Sequence, residues 1–378
     1  MAGMKIIDVE TILVRQPTAC PMKEYPISDG FRDCLIVKVH TDEGITGIGE
    51  VQTSPTVARA VIEAPFSLIA SVGLKELILG ENPFDTEALW QKMYSKTSIF
   101  SRRGVAIHAI SGIDIALWDI KGKALGQPIY RLLGSSSPKP VKAYASTLMP
   151  DDPHKAACEA LRWVKDGFQA VKLGWGGFTD NIRKNAALIK EVRKVLGPDI
   201  TIMADAGMGW GLPTALEMAR RCEEYELYFL EEPLPSDDLE GYAVLCDAVD
   251  LRIATGEKET TKWGFRDLIV RGRLDILQPD AARCGGITET IKIATLCSAF
   301  NRVCIPHNWS TDILASATLN IITALSDVPY FEFNVLDTPI RNGVTRQTIK
   351  LDNGFVRVPE GPGLGIELNE EFIAQYAV

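Results

Sequence analysis

Residues 170–206, AVKLGWGGFTDNIRKNAALIKEVRKVLGPDITIMADA, read as a strand, a helix and a second strand. Ala170 to Gly174 is a short apolar run of strand length. Ile182, Ala186, Ile189, Val192 and Leu196 then recur at helical spacing and share one face. Thr179-Asp180 opens that helix with capping oxygens, and Gly197-Pro198 stops it because proline cannot continue the hydrogen-bond ladder. Thr201 to Ala206 is the next apolar run. Two strands joined through a helix form the unit from which parallel sheets are built.

Outward from this unit the same step repeats. Further apolar runs lie at Val141 to Ser146, Tyr228 to Glu232, Arg252 to Glu257, Leu274 to Pro279, Val303 to His307 and Tyr330 to Phe333, with amphipathic stretches between them. Eight short strands alternating with helices over about 200 residues predict an α/β chain closed into a modified TIM-type (β/α)₈ barrel. A doubly wound open sheet is the rival arrangement.

The residues before this array read differently. Lys5 to Val14 alternates like a strand, and Cys34 to Thr41 and Ile45 to Val51 flank the turn Asp42-Glu43-Gly44. Val57 to Gly126 turns helical and ends in the amphipathic stretch Ala106 to Lys123, before Gly134-Ser-Ser-Ser-Pro-Lys-Pro140 breaks the pattern. After Pro339, Gln347 to Leu351 and Phe355 to Val358 flank Asp352-Asn353-Gly354 as a predicted hairpin that packs back on the first domain. The expected organisation is an α+β capping domain over 1–137, the barrel over 138–341 and a returning segment over 342–378.

A chain of 378 residues exceeds the usual size of one core, in keeping with that division. The hydrophobic fraction of 46% and charged fraction of 24% are those of an ordinary globular protein. A net charge of −9 argues against nucleic acid or an anionic membrane as partner, since neither is attracted to such a surface. The eight cysteines, at 20, 34, 158, 222, 246, 284, 297 and 304, include no CxxC pair, and most fall in apolar segments and read as small buried thiols, as expected of a reduced, cytoplasmic chain. Asp8 and Glu10 in the first strand exclude a signal peptide, and no apolar run approaches the about 18 residues that a membrane span needs.

In a parallel barrel the C-terminal strand ends open at one mouth, so polar residues there converge however far apart they lie in sequence. Read in order, these ends carry Lys172, Asp205, Glu231 with Glu232, Glu257, Asp280, His307 and Glu332. Asp205, Glu231 and Glu257 end three adjacent strands. Brought together they repel one another unless a cation holds them, and an all-oxygen set suits a hard ion such as Mg²⁺. Taken singly, each is more simply a solvated loop acid. Asp280 and His307 end the next two strands, where a carboxylate beside an imidazole fixes its tautomer and raises its basicity. His40, His108 and His154 fall in the smaller domain or a helix. Lys172 is either a base, if its pKa is lowered, or a cation for a substrate carboxylate.

Gly174-Trp175-Gly176-Gly177 and Gly285-Gly286 match no full phosphate-binding pattern, and tight strand-to-helix turns explain them better. Arg102-Arg103 and Phe31-Arg32 could help enclose an anion. Arg32, Trp175 and Arg283 are the candidates to line a substrate cavity, beside specificity loops expected over Thr18 to Asp33 and after Glu50.

These residues resemble the enolase superfamily, and within it the mandelate racemase/muconate lactonizing enzyme family and its mandelate racemase subgroup, across essentially the whole chain. The matching features are IDIALWDIKGKA (113–124), Val171-Lys172, Ala204-Asp205-Ala206, Glu231-Glu232-Pro233, Gly256-Glu257, Gln278-Pro279-Asp280, Cys284-Gly285-Gly286, Pro306-His307 and the closing Gly361-Pro-Gly-Leu-Gly365. The resemblance implies a capping domain over a modified barrel, Asp205, Glu231 and Glu257 as Mg²⁺ ligands, and Asp280 with His307 as the acid/base dyad. It also implies that Glu332 bonds a substrate carboxylate, that the substrate is a small carboxylic acid, and that the chain forms a homo-oligomer.

Two departures shape the expected reaction. Where the subgroup commonly has Lys-x-Lys this chain has Lys172-Leu173-Gly174, and where it commonly has Asp-x-Asn this chain has Asp205-Ala206-Gly207. Gly174 removes a base from the face opposite His307, which weakens a racemase reading and favours dehydration of a sugar acid to a 2-keto-3-deoxy acid. The two glycines are also expected to open the pocket to a bulkier acid or a lactone. A racemase, epimerase or lactone cycloisomerase is the alternative, and a catalytically inactive sugar-acid binding protein the second.

Overall fold

A computed structural model describes residues 3–17, 31–67, 72–179, 181–336 and 338–378; most of the predicted specificity loop, and Asp180, lie outside them. The capping domain begins with an antiparallel sheet of β1 (Ile6–Pro17), β2 (Phe31–Thr41) and β3 (Thr46–Val51). Helices α1 (Pro55–Glu63), α2 (Leu74–Ile78), α3 (Thr86–Thr97), α4 (Val105–Leu125) and α5 (Ile129–Leu132) follow. α4 is buried on nearly every side, so its sequence is apolar throughout rather than striped. β3 lies against it through Gly49, where a Cβ would sit 2.0 Å from the Gly112 carbonyl oxygen; only glycine permits that approach.

The barrel then runs β4 (Val141–Leu148), α6 (Pro153–Lys165), β5 (Ala170–Gly174), α7 (Ile182–Leu196), β6 (Thr201–Asp205), α8 (Leu212–Glu223), β7 (Leu230–Glu231) and α9 (Leu239–Ala248). It continues β8 (Ile253–Thr255), α10 (Thr261–Val270), β9 (Ile276–Leu277), α11 (Gly286–Ala299), β10 (Val303–Cys304), α12 (Asp312–Ala324) and β11 (Phe331–Asn334). Its strands pair in parallel in sequence order, and the last, β11, pairs with the first, β4, with Phe331 opposite Ala143. That closure rules out the doubly wound sheet, whose order reverses at a switch point. Among the described residues no ladder joins β10 to β11, so the ring is open at one seam.

Alternation along the strands sorts the interior into a floor and a mouth. Tyr144, Ala170, Met203, Phe229, Ile305 and Tyr330 belong to one buried apolar cluster. Two residues further along the same strands come Ser146, Lys172, Asp205, Glu231, His307 and Glu332, all buried and all polar. A period of two puts each pair on the same side of its strand, so the apolar floor carries the ionisable layer directly above it.

Two local expectations are corrected. Asn181, not Thr179-Asp180, caps α7: its side chain accepts from the Lys184 N–H (3.1 Å), while Thr179 Oγ1 accepts from the Asn181 N–H (3.1 Å). After Pro339 the predicted turn forms, with Asp352 and Phe355 exchanging both main-chain bonds (2.7 and 3.0 Å), but Gln347 to Leu351 is not a strand, so no two-strand hairpin extends from it. Instead β12 (Phe355–Val356) pairs antiparallel with β4, following the short helix α13 (Pro339–Gly343). A last helix, α14 (Glu370–Tyr376), leads to Ala377, which bridges Val14 of β1.

Candidate active site

A cavity of about 280 Å³ opens at the barrel mouth under the capping domain. Its lining includes Arg32, Lys172, Trp175, Asp205, Glu257, Arg283, His307 and Glu332, so most of the residues singled out in the sequence converge here. Glu231 and Asp280 stand just behind that surface, each almost wholly buried.

The two loops carrying Asp280 and His307 meet in a parallel bridge, and His307 Nδ1 lies 2.7 Å from Asp280 Oδ2. The other Asp280 oxygen accepts from the Ala282 N–H (2.7 Å), which fixes the carboxylate from behind. His307 Nε2 points to Glu257 Oε2 at 3.1 Å. Burial opposes a charged imidazole, but Glu257, Glu332 and Asp280 outweigh it and raise the His307 pKa to about 10. Burial likewise opposes the Glu257 carboxylate, yet His307, Arg283 and Lys258 hold its pKa well below the ordinary glutamate value. In this arrangement His307 is in its acid form.

Lys172 is pinned between two carboxylates, 2.7 Å from Glu231 Oε2 and 2.7 Å from Glu332 Oε1. Burial alone would lower its pKa, but these two partners hold it well above the usual lysine value. Of the two roles open to Lys172, this environment favours the permanent cation over the base. Glu332, expected to bond substrate, has its oxygens engaged by Lys172, by Ser146 Oγ (2.7 Å) and by the Asn308 N–H (2.8 Å).

Asp205 stands opposite Glu231 in the β6–β7 register, and Glu257 follows the next strand. Burial, reinforced by the neighbouring carboxylates, raises Asp205 to about 7 and Glu231 to about 8, even though Lys172 pulls both downward. Among the described residues, however, no three His, Cys, Asp or Glu side chains form a ready-made metal-ligating group. Glu231 turns to Lys172, and Glu257 turns to His307 and to Lys258 Nζ (2.9 Å). The chemistry of the donors still fits a hard divalent cation, since Asp205, Glu231 and Glu257 are all-oxygen donors whose charges repel one another across the mouth.

The two glycines do not open the pocket. A Cβ on Gly174 would meet the Asp205 Cβ at 2.4 Å, so that space is already filled. Beside Gly207, at φ +58°, the Trp175 indole lies 3.8 Å from a Cβ position and covers the gap. Trp175 itself sits at φ +51°, a region costly for a bulky side chain, and Lys258 Nζ lies 5.3 Å from its ring centroid.

Several contributors went unpredicted. Ser146 obeys the floor-and-mouth alternation of β4 and was legible by that rule. Lys258 directly follows Glu257, bridges it to Glu232 and carries no pattern of its own. Trp309 and Leu336 line the cavity from loops that only the tertiary fold brings in, and Leu148 from the end of β4.

Comparison with known proteins agrees with this architecture. Residues 6–134 match the model of the mandelate racemase/muconate lactonizing enzyme N-terminal domain, and residues 155–372 that of the enolase C-terminal domain-like family. The chain is 31% identical over 387 residues to D-galactarolactone cycloisomerase of Agrobacterium fabrum, covering 99% of each chain. It is 34% identical to arabinonate dehydratase of Saccharolobus solfataricus over 91% of this chain and 90% of that one. The crystal structure of 3,6-anhydro-D-galactonate cycloisomerase from Zobellia galactanivorans superposes with a TM-score of 0.88 at 33% identity, covering 99% of both chains.

Proposed function

We propose that this chain, which belongs to the mandelate racemase/muconate lactonizing enzyme family and is an enzyme of the enolase superfamily, is a Mg²⁺-dependent dehydratase of sugar acids. The observation that carries this reading is a single acid/base dyad, His307 on Asp280 at 2.7 Å, facing a strand end at Gly174 where no second base can stand. In the eight-strand ring β5 and β10 lie across the mouth from one another. A racemase needs proton-transfer groups on both faces of the α-carbon, and this mouth offers one.

Asp205, Glu231 and Glu257 are the residues that would hold Mg²⁺, which neutralises charge developing on the substrate carboxylate and is worth several kcal/mol. Lys172, locked as a cation, adds fixed positive charge on the same side. His307 becomes a base when Glu257 leaves its Nε2, because that contact is what most strongly keeps the ring protonated. It then takes the α-proton and returns it to the departing β-hydroxyl. The α C–H and β C–O bonds break, water leaves, and the resulting enol becomes the 2-keto-3-deoxy acid. Asp280 holds the ring throughout.

A lactone cycloisomerase is the second reading, supported by a relative of that activity matching 99% of this chain and by the aromatic walls Trp175 and Trp309. Incubation with aldonates, aldarates and their lactones in Mg²⁺, followed by semicarbazide detection of 2-keto-3-deoxy acids, separates the two. Signal from an open-chain acid supports the dehydratase; signal from a lactone but from no open-chain acid supports the isomerase, because expelling the ring oxygen from the β-carbon gives an isomeric 2-keto-3-deoxy acid without loss of water.

A further inference from the structure

The end of β3 reaches from the capping domain into the catalytic side of the barrel. Glu50 is wholly buried, and its carboxylate accepts from Ser310 Oγ, from Thr311 Oγ1 (2.6 Å) and from the Leu314 N–H (3.2 Å). Two residues on, Gln52 Nε2 donates to the Trp309 carbonyl (2.7 Å), and the Gln52 carbonyl accepts from Arg283 Nε (3.2 Å). The Gln52 N–H also donates to the Ala282 carbonyl (3.4 Å). One strand end thus grips the segment that follows His307 and the segment that follows Asp280.

We propose that Glu50 and Gln52 are positioning residues that clamp these two segments together and so hold the imidazole and carboxylate of the dyad at working distance. The proposal rests on the dyad mechanism above. The barrel itself supports His307 from one side: among the described residues β10 is two residues long, pairs with β9 and borders the open seam, and past its end the His307 N–H bond to the Pro279 carbonyl (3.1 Å) continues that pairing. Asn308 steadies the far side of the same loop through Glu332. On the near side Glu50 and Gln52 supply what a neighbouring strand would otherwise provide. Glu50 also exceeds what packing requires. Among the described residues no Lys, Arg or His pairs with it, so three donors and the N-terminus of α12 alone compensate a buried carboxyl. An apolar side chain would fill that volume at less cost but could not orient three donors.

Gln52→Met keeps the length of the side chain and removes its donor; Glu50→Gln keeps the shape and turns one acceptor oxygen into a donor facing other donors. Two readouts go with them. One is kcat and KM on the acid sugar turned over best by the wild type. The other is carboxymethylation of His307 by bromoacetate in the presence of Mg²⁺, the condition in which Glu257 would release the ring, quantified by mass spectrometry against the exposed-helix residue His154. The expected result is a loss in kcat of about tenfold or more with KM within about threefold, since a displacement of about 1 Å costs up to about 10²-fold. The His307-to-His154 labelling ratio should fall about fivefold, as the ring no longer meets a carboxylate-bearing reagent in line. A purely structural role would lower the unfolding temperature while the folded variants kept wild-type kcat and labelling ratio, and that result would overturn the proposal. Wild-type enzyme inactive on every acid sugar would count against the dehydratase reading alone, and the labelling ratio would still decide the clamp.

Discussion

Replacing Asp114 by asparagine should stabilise the protein increasingly as pH rises. Asp114 lies on α4, wholly buried where the capping domain meets the first turn of α11, and its Oδ2 accepts from the Thr288 N–H (2.9 Å). Its Oδ1 is buried with no hydrogen-bond partner among the described residues. Burial, only partly offset by the Thr288 bonds and Lys292, raises its pKa from 3.8 to about 7. An acid that binds its proton more tightly in the folded chain costs nothing below the unfolded pKa and its full penalty above the folded one. The gap is about three pKa units, which at about 1.4 kcal/mol each is about 4 kcal/mol at pH 8. Roughly 2.5 kcal/mol of that develops between pH 5 and pH 8. Urea unfolding of wild type and Asp114→Asn at both pH values isolates this term, because groups common to the two proteins cancel. The variant should gain roughly 2.5 kcal/mol relative to wild type on going from pH 5 to pH 8. A difference between the proteins that is the same at both pH values to within about 1 kcal/mol would refute the buried, proton-binding carboxyl.

His307→Asn should abolish turnover, a loss of about 10²-fold or more, while Mg²⁺ still binds at wild-type affinity or tighter, since Glu257 loses its imidazole partner; activity that survives would remove His307 from the chemistry. Glu231→Gln should weaken Mg²⁺ binding in the same titration, and an unchanged isotherm would exclude Glu231 as a ligand. Gly174→Lys should not create a racemase. Its Cβ would collide with Asp205, so we expect a loss of about 1–3 kcal/mol in unfolding free energy and no deuterium wash-in through a second face.

The mouth was legible because strand alternation makes it so. Reading Met203 then Asp205, or Ile305 then His307, already assigns one residue to the floor and the next of like parity to the opening. The helix boundaries were close for the same reason, with α7 displaced by one capping residue. What could not be read was which partner each mouth residue chooses. Lys172 has the same sequence signature whether it is a base or a locked cation, and only Glu231 and Glu332, contributed 59 and 160 residues later, decide it. Glu50 and Gln52 meet their partners 230 to 264 residues downstream, beyond any local pattern. The Asp352-Asn353-Gly354 turn was legible, but the partner of Phe355 and Val356 was not: they pair with Lys142 and Val141, the first residues of β4, ahead of the stretch that β11 and β5 take up.

Charge balance explains why acids alone in the sequence pointed to a cation. Six carboxylates, Asp205, Glu231, Glu232, Glu257, Asp280 and Glu332, meet four cations, Lys172, Lys258, Arg283 and His307, in one nearly water-free mouth. The deficit is two positive charges. Burial and mutual repulsion raise Asp205, Glu231 and Glu232 to about 7, 8 and 7, so protons held on these carboxyls offset part of the excess negative charge. A single divalent cation supplies the same two charges and frees those protons. It would also draw Glu257 from His307, returning the imidazole to the form that can accept a proton. The same crowding of carboxylates would therefore couple binding of a cation by Asp205, Glu231 and Glu257 to release of the His307 imidazole.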